Sequence, residues 1–391
     1  MPKWPPSSDP RTLLVHGGRD PHAFGGMVNT PVHRGSTILS PDLESWQRNS
    51  GRNPYGQYGR FGTPTTRSLE EIVARLEGGY RSIVFPSGLS ACCHALTSVL
   101  KAGDHVLMTN SVYGPVRHFV DDVLKRFDIQ VSFYDPLVGG NIRHLLRPNT
   151  RAVYVESPGS WSFEVQDIPA IAHEAHLAGA VVIMDNSWAS PLFFQPFAHG
   201  VDISVQAATK YLVGHSDALL GVATASETAW PLLQRGAHDF GQTAGPDDIF
   251  LTLRGIRTLD VRLQRHWETG VLLAESLLDH KIVKRVMHPA LPQDPGHLLW
   301  KRDFTGASGL FGVLLHPVDP RVIHALFDRL NLFGIGLSWG GFESLIMLAD
   351  KPVSDGGAED CYAIRIHAGL EGAGDLIDDM RQAFSYACSI T

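Results

Sequence analysis

Apolar and polar positions follow two different rhythms along this chain. Residues 1 to about 60 show little periodicity and are rich in Pro, Gly, Asn and Ser, so they read as an extended arm that packs on another surface, such as a neighbouring subunit. From Thr66 the pattern is helical. Leu69, Ile72, Val73 and Leu76 recur at helical spacing, Ser68-Leu-Glu-Glu71 has the form of a capping box, and Gly78-Gly79 supplies the stop. Apolar or β-branched runs follow at 82–85, 105–109, 129–134, 152–156, 180–184 and 203–207, each a predicted strand. Amphipathic stretches, such as 115–127 and 169–178, separate most of them, which is the spacing of βα units in a mostly parallel sheet. The expected class is α/β.

Composition narrows the function. With 391 residues, 43% of them hydrophobic, the chain can bury a large core and is expected to form one large domain plus a smaller one. A net charge of -7, with 33 Lys and Arg spread along the chain, gives no basic patch for nucleic acid or an anionic membrane. No run approaches a membrane span, and MPKWPPSSDP at the start has no apolar stretch of a secretory signal, so a cytoplasmic protein is expected. Cys92, Cys93, Cys361 and Cys388 lack metal-ligand spacing and read as structural thiols. His173-Glu-Ala-His176 lacks the interval of a zinc-binding helix, and no metal site is expected.

Candidate chemistry gathers at the ends of the predicted strands. Pro86-Ser-Gly-Leu89, Asn110-Ser-Val-Tyr113, Glu156-Ser-Pro-Gly-Ser160, Asp185-Asn186 and Thr209-Lys210-Tyr211 all follow such runs. In an open parallel sheet, the carboxyl ends of the strands form the ligand crevice. The absence of G-x-G-x-x-G after the first strand argues against a nicotinamide-dependent oxidoreductase. Ser87-Gly88-Leu89 opening a helix can still offer N–H groups to a phosphate. A lone lysine is usually a solvated surface residue, but Lys210 has largely apolar neighbours, and desolvation favours the neutral amine that a carbonyl cofactor needs. Asp185, by default a turn residue, can hold a pyridine nitrogen protonated.

These residues carry a resemblance over nearly the whole chain, from about Thr12 to Gln382. Its elements are Tyr58-Gly-Arg60-Phe-Gly-Thr-Pro-Thr65, Leu107-Met-Thr-Asn110 with Tyr113, Glu156-Ser-Pro-Gly-Ser160, Asp185-Asn186, and Gln206-Ala-Ala-Thr-Lys-Tyr-Leu-Val-Gly-His-Ser-Asp217. His288-Pro-Ala-Leu-Pro292, Lys301-Arg-Asp-Phe-Thr-Gly306, Ser338-Trp-Gly-Gly-Phe-Glu-Ser-Leu345 and Arg365 before Gly369-Leu-Glu371 extend it. The chain resembles the cysteine and methionine metabolism family of pyridoxal-phosphate enzymes, and Ala207 and Trp339 point to its lyase branch.

The resemblance implies a fold type I architecture, with an arm over 1–60, a large cofactor-binding domain over 61–260 with a mostly parallel sheet, and a smaller α+β domain over 261–391. It implies pyridoxal 5'-phosphate held by Lys210 as a Schiff base, with Lys210 also serving as base and acid. Tyr113 would stack on the ring, Asp185 would pair with its nitrogen, and the phosphate would meet Gly88, Leu89 and Thr209, with Tyr58 and Arg60 supplied by a neighbouring subunit. Arg365 would take the substrate carboxylate as a bidentate fork, with Ser338 and Trp339 beside it. The implied reaction is β-elimination from L-cystathionine or another S-substituted cysteine, with γ-elimination or γ-replacement as the alternative, in a homo-oligomer built as a tetramer of two dimers. Around the mouth of the site the chain departs from the family pattern at Gln57, Gly114, His118 and His238, which predicts weaker preference for the charged far arm of cystathionine.

Overall fold

The computed structural model describes residues 9–52, 58–349 and 361–390. The first long helix of the main body, Pro64–Glu77, begins before the predicted capping box. Thr63 is its N-cap: its hydroxyl accepts from the Thr66 N–H at 3.4 Å, and the Thr66 hydroxyl accepts from the Thr63 N–H at 3.2 Å. Pro64 has no N–H to leave unpaired in the first turn, so the helix can start there. The Ser68 hydroxyl instead donates back to the Pro64 carbonyl within the helix. Gly78 ends the helix at φ +75°, a conformation open to glycine.

The six predicted strands form as β1 (Arg81–Phe85), β2 (His105–Thr109), β3 (Gln130–Tyr134), β4 (Thr150–Glu156), β5 (Val181–Asp185) and β6 (Ile203–Gln206). A seventh, β7 (Gly221–Ala225), joins them in the order β1-β7-β6-β5-β4-β2-β3. The β6-β5-β4-β2-β3 run is parallel, whereas β7 lies antiparallel to both β6 and β1. A search for parallel βα units passes over β7, because it follows β6 without a crossover helix. Its five residues are all buried, as a strand covered on both faces requires.

Two apolar clusters cover the sheet. One joins Leu69 and Ile72 of the Pro64–Glu77 helix to Val153, Met184 and Trp188. The other joins Cys92 and Leu96 of the helix Gly88–Val99 to Met108, Ile183 and Val205. Leu69 and Ile72 are fully buried, and truncating either to Ala costs about 2–5 kcal/mol. The predicted helix at 115–127 winds without a break but changes geometry, from α at Gly114–His118 to π at Phe119–Val123 and 3-10 at Leu124–Phe127. The predicted helix at 169–178 is Ile168–Leu177, started by Asp167, whose carboxylate accepts the Ala170 N–H.

A second sheet holds β8 (Val283–Met287), β9 (Leu310–Leu315), β10 (Gly334–Ile335), β11 (Leu345–Leu348) and β12 (Tyr362–His367) in the order β10-β11-β12-β9-β8. All its pairs are antiparallel except β10–β11. The helices Leu259–Leu277, Pro320–Arg329 and Ala373–Cys388 pack on it through Leu273, Leu326, Leu376 and Phe384. No described helix is long and apolar enough to cross a membrane.

Candidate active site

The carboxyl ends of β1, β4, β5 and β6 converge on a cavity closed from the far side by β9, β12 and the loop before β11. Gly88, Leu89, Tyr113, Asp185, Thr209, Lys210, Trp339 and Arg365 all line it. Residues separated by more than 270 positions therefore share one cleft. Three features bring them together. Ser87 caps the Gly88–Val99 helix by accepting the Ser90 N–H at 3.1 Å, which leaves the first N–H groups at the cavity. Gly221 of β7 lies against the backbone under that turn: a Cβ there would come within 2.2 Å of the Ser87 carbonyl oxygen. Gly340, at φ +83°, lies so close to Lys210 that a Cβ would meet the Lys210 and Tyr211 backbone at 3.0 Å.

Lys210 Nζ donates to the Ser338 hydroxyl at 2.9 Å and lies 5.2 Å from the Trp339 ring centroid. Burial, reinforced by the Arg365 charge and opposed by Asp185, lowers its pKa to about 8. A larger neutral fraction near neutral pH than an ordinary lysine has makes the amine more nucleophilic. Asp185 is buried, and its carboxylate accepts the Ser187 N–H at 2.9 Å. Burial raises its pKa, while the bonds from Ser187 and Cys92 work the other way. Cys92, expected to be a structural thiol, is buried but also turns its S–H to Asp185 Oδ2 at 3.7 Å and lines the cavity. It lies four residues after Gly88 on the same helix, so helical spacing alone could have placed it at the site.

Glu156, at the head of the Glu156-Ser-Pro-Gly-Ser160 run, accepts the Tyr113 N–H at 2.7 Å and so holds the chain where the Tyr113 ring enters the cavity. Burial, with Asp185 nearby, pushes the Glu156 carboxyl well above the usual carboxylate range. Thr209 lines the cavity, but its hydroxyl donates to the Leu220 carbonyl at 3.2 Å and accepts the Leu220 N–H at 3.0 Å. Arg365 is only 8% exposed. Its Nη2 donates to the Leu337 carbonyl, and among the described residues no carboxylate pairs with it.

Tyr58 and Arg60 do not line this cavity. They stand together on the surface, with the Arg60 guanidinium 5.2 Å from the Tyr58 ring centroid. Gly114, His118 and His238 also lie outside it: His118 is exposed and His238 packs edge-on against Phe61. Gln57 is outside the described residues. Trp161, which sequence reasoning passed over, lines the cavity beside Arg365. His176 is paired with Asp202 at 2.8 Å, and no group of three or more potential metal ligands occurs among the described residues.

A desolvated lysine, a buried carboxylate, a helix N-terminus and a buried arginine in one cleft fit a phosphate-bearing carbonyl cofactor together with an amino-acid substrate. Gly88 marks how closely the two sides approach, since a Cβ there would lie 2.6 Å from the Ala207 Cβ. The fold and cleft thus define an α/β enzyme of the lysine-bound cofactor class.

Comparison with known proteins gives the family. The family described as Cys/Met metabolism PLP-dependent enzyme matches residues 11–385, and the chain belongs to it. It is therefore a fold type I enzyme whose cofactor is pyridoxal 5'-phosphate. A putative cystathionine beta-lyase of Rhizobium johnstonii is 45% identical, over 97% of this chain and 96% of its own length. Cystathionine beta-lyase MetC of Escherichia coli is 41% identical, over 96% of this chain and 98% of its own. A cystathionine gamma-lyase of Sus scrofa is 34% identical, over 96% and 93%.

Proposed function

We propose that this enzyme breaks the Cβ–S bond of L-cystathionine or a related S-substituted cysteine by β-elimination. The observation that carries the reading is the presence of Lys210, Asp185 and the buried Arg365 in one cavity. Bound pyridoxal phosphate supplies an electron sink for negative charge developing at the substrate Cα. Lys210 would hold the cofactor covalently and, when released, take the Cα proton at Nζ; its lowered pKa suits that work near neutral pH. Asp185 would keep the ring nitrogen protonated, with Ser187 and Cys92 fixing the carboxylate. The Gly88 and Leu89 N–H groups and Thr209 would bind the phosphate, which requires the Thr209 hydroxyl to turn from Leu220.

Tyr113 would stack on the ring. Arg365 would bind the α-carboxylate, with Trp339 ordering that end of the site and Ser338 holding the Lys210 amine. The net change takes cystathionine and one water to homocysteine, pyruvate and ammonia, with the bonding pair of the broken C–S bond leaving on sulfur.

The arm around Tyr58 and Arg60 would complete the phosphate site of a neighbouring subunit, in a tetramer of two dimers. We place the large cofactor domain at 61–260 and the smaller domain at 261–391, and the enzyme in the cytoplasm. The deciding experiment is incubation of the purified protein with L-cystathionine and identification of the keto acid. Pyruvate supports β-elimination. 2-Oxobutyrate would replace it with γ-elimination, the chemistry named for the Sus scrofa relative.

A further inference from the structure

Among the described residues, Arg365 is a buried cation without an acid beside it. Its Nη2 donates to the Leu337 carbonyl at 2.6 Å and approaches Met347 Sδ at 3.0 Å, which anchors one end of the guanidinium. Burying a charge without a counter-ion is costly unless another group supports it. The other group is a ring: Arg365 Cζ lies 5.2 Å from the centroid of Trp161, within the range in which an aromatic face attracts a cation. We infer that Trp161 is a positioning residue for Arg365, its indole covering the guanidinium and fixing the edge offered to a substrate carboxylate. The inference rests on the reading of Arg365 given above.

The local backbone supports it. Trp161 has φ +67° and Phe163 has φ +58°, left-handed conformations that bulky residues seldom adopt unless the surroundings hold them there. This turn is held on three sides. The Gly159 N–H donates to the Glu164 carbonyl at 3.0 Å, the Ser160 N–H to the Ser111 carbonyl at 2.8 Å, and the Phe163 N–H to the Gly159 carbonyl at 3.1 Å. The Phe163 ring is buried against Gly312, where a Cβ would come within 2.8 Å of the ring. Gly312 is the cross-strand partner of Arg365. The position without a side chain opposite Arg365 thus seats Phe163, and that anchor with the Ser111 bond lays Trp161 over the guanidinium.

A ring that merely filled the cavity wall would affect all ligands of similar size alike. One that acts through the guanidinium affects only ligands with a carboxylate. L-Alanine and ethylamine differ by that group alone and carry no leaving group at Cβ. Titration of the holoenzyme with each, followed by the cofactor's visible absorption, measures their affinities.

The wild type should prefer L-alanine, and Arg365→Ala should abolish the preference. Failure of either result would sink the reading of Arg365, and the inference with it. Given both, Trp161→Ala should weaken L-alanine about tenfold and change ethylamine less than about twofold. Trp161→Phe should stay close to wild type, and Trp161→Leu should resemble Ala, because leucine covers the site without a π-face. In Arg365→Ala, adding Trp161→Ala should cost nothing further for L-alanine. Equal weakening of both ligands, or a leucine variant as good as tryptophan, would overturn the inference.

Discussion

Lys210 Nζ donates its hydrogen bond to the hydroxyl of Ser338, 128 residues further along the chain, at 2.9 Å. The contact depends on Gly340, whose missing side chain lets the Ser338-Trp339 turn lie against the Lys210 backbone. Ser338 therefore acts on the amine that moves the proton. Ser338→Ala should lower kcat about fivefold, the worth of one hydrogen bond, with KM little changed. A raised KM at unchanged kcat would assign Ser338 to the carboxylate end instead.

The lowered pKa of Lys210 gives a pH dependence that can be measured without substrate. Below about pH 8 the amine is mostly cationic and unreactive, and above it mostly neutral. The rate at which cofactor-free protein takes up pyridoxal phosphate covalently should climb with pH, reach half its maximum near pH 8 and level off above it. A lysine at its ordinary value would keep the rate climbing to about pH 10. Borohydride should fix the cofactor on the peptide that holds Lys210, and a label on another lysine would refute the assignment.

Gly88 tests the phosphate end. A methyl group there would lie 2.6 Å from the Ala207 Cβ and 3.0 Å from its Cα, so the start of the Gly88–Val99 helix must shift. Gly88→Ala should destabilise the protein by about 1–3 kcal/mol, as overpacking does, and weaken cofactor retention on dialysis. Unchanged thermal unfolding and unchanged retention would show that the approach is not tight.

Subunit mixing tests the arm. Lys210→Ala and Arg60→Ala should each be nearly inactive, yet mixed dimers should regain activity. One site then takes Lys210 from the Arg60→Ala chain and Arg60 from the other. Absence of recovery after verified exchange would place the whole site within one chain.

His118 tests specificity at the rim. It is exposed and outside the cavity, so a carboxylate there can act only at longer range on the far ammonium of cystathionine. His118→Asp should lower KM for cystathionine about twofold, less than a close exposed ion pair gives, and leave S-methyl-cysteine unaffected. Strong wild-type preference for cystathionine, unchanged by the substitution, would remove the rim from the argument.

The sequence determined the layered α/β core and the groups gathered at its strand ends, because strand and helix periodicity and turn chemistry are local properties. Leu69 and Ile72 announced a helix face, and Asp185 and Lys210 each followed a predicted strand. Local signals misjudged the helix start: the box at Ser68 and Glu71 matches the pattern, but Pro64 and Thr63 open the helix earlier. They also missed β7, which has no crossover spacing to reveal it. Only the tertiary structure decided how distant segments meet. The Ser338 hydroxyl on Lys210, the Cys92 thiol on Asp185 and the Trp161 ring on Arg365 depend on close approaches at Gly340, Gly221 and Gly312. Those contacts are set by packing between elements far apart in the chain, and local spacing does not encode them.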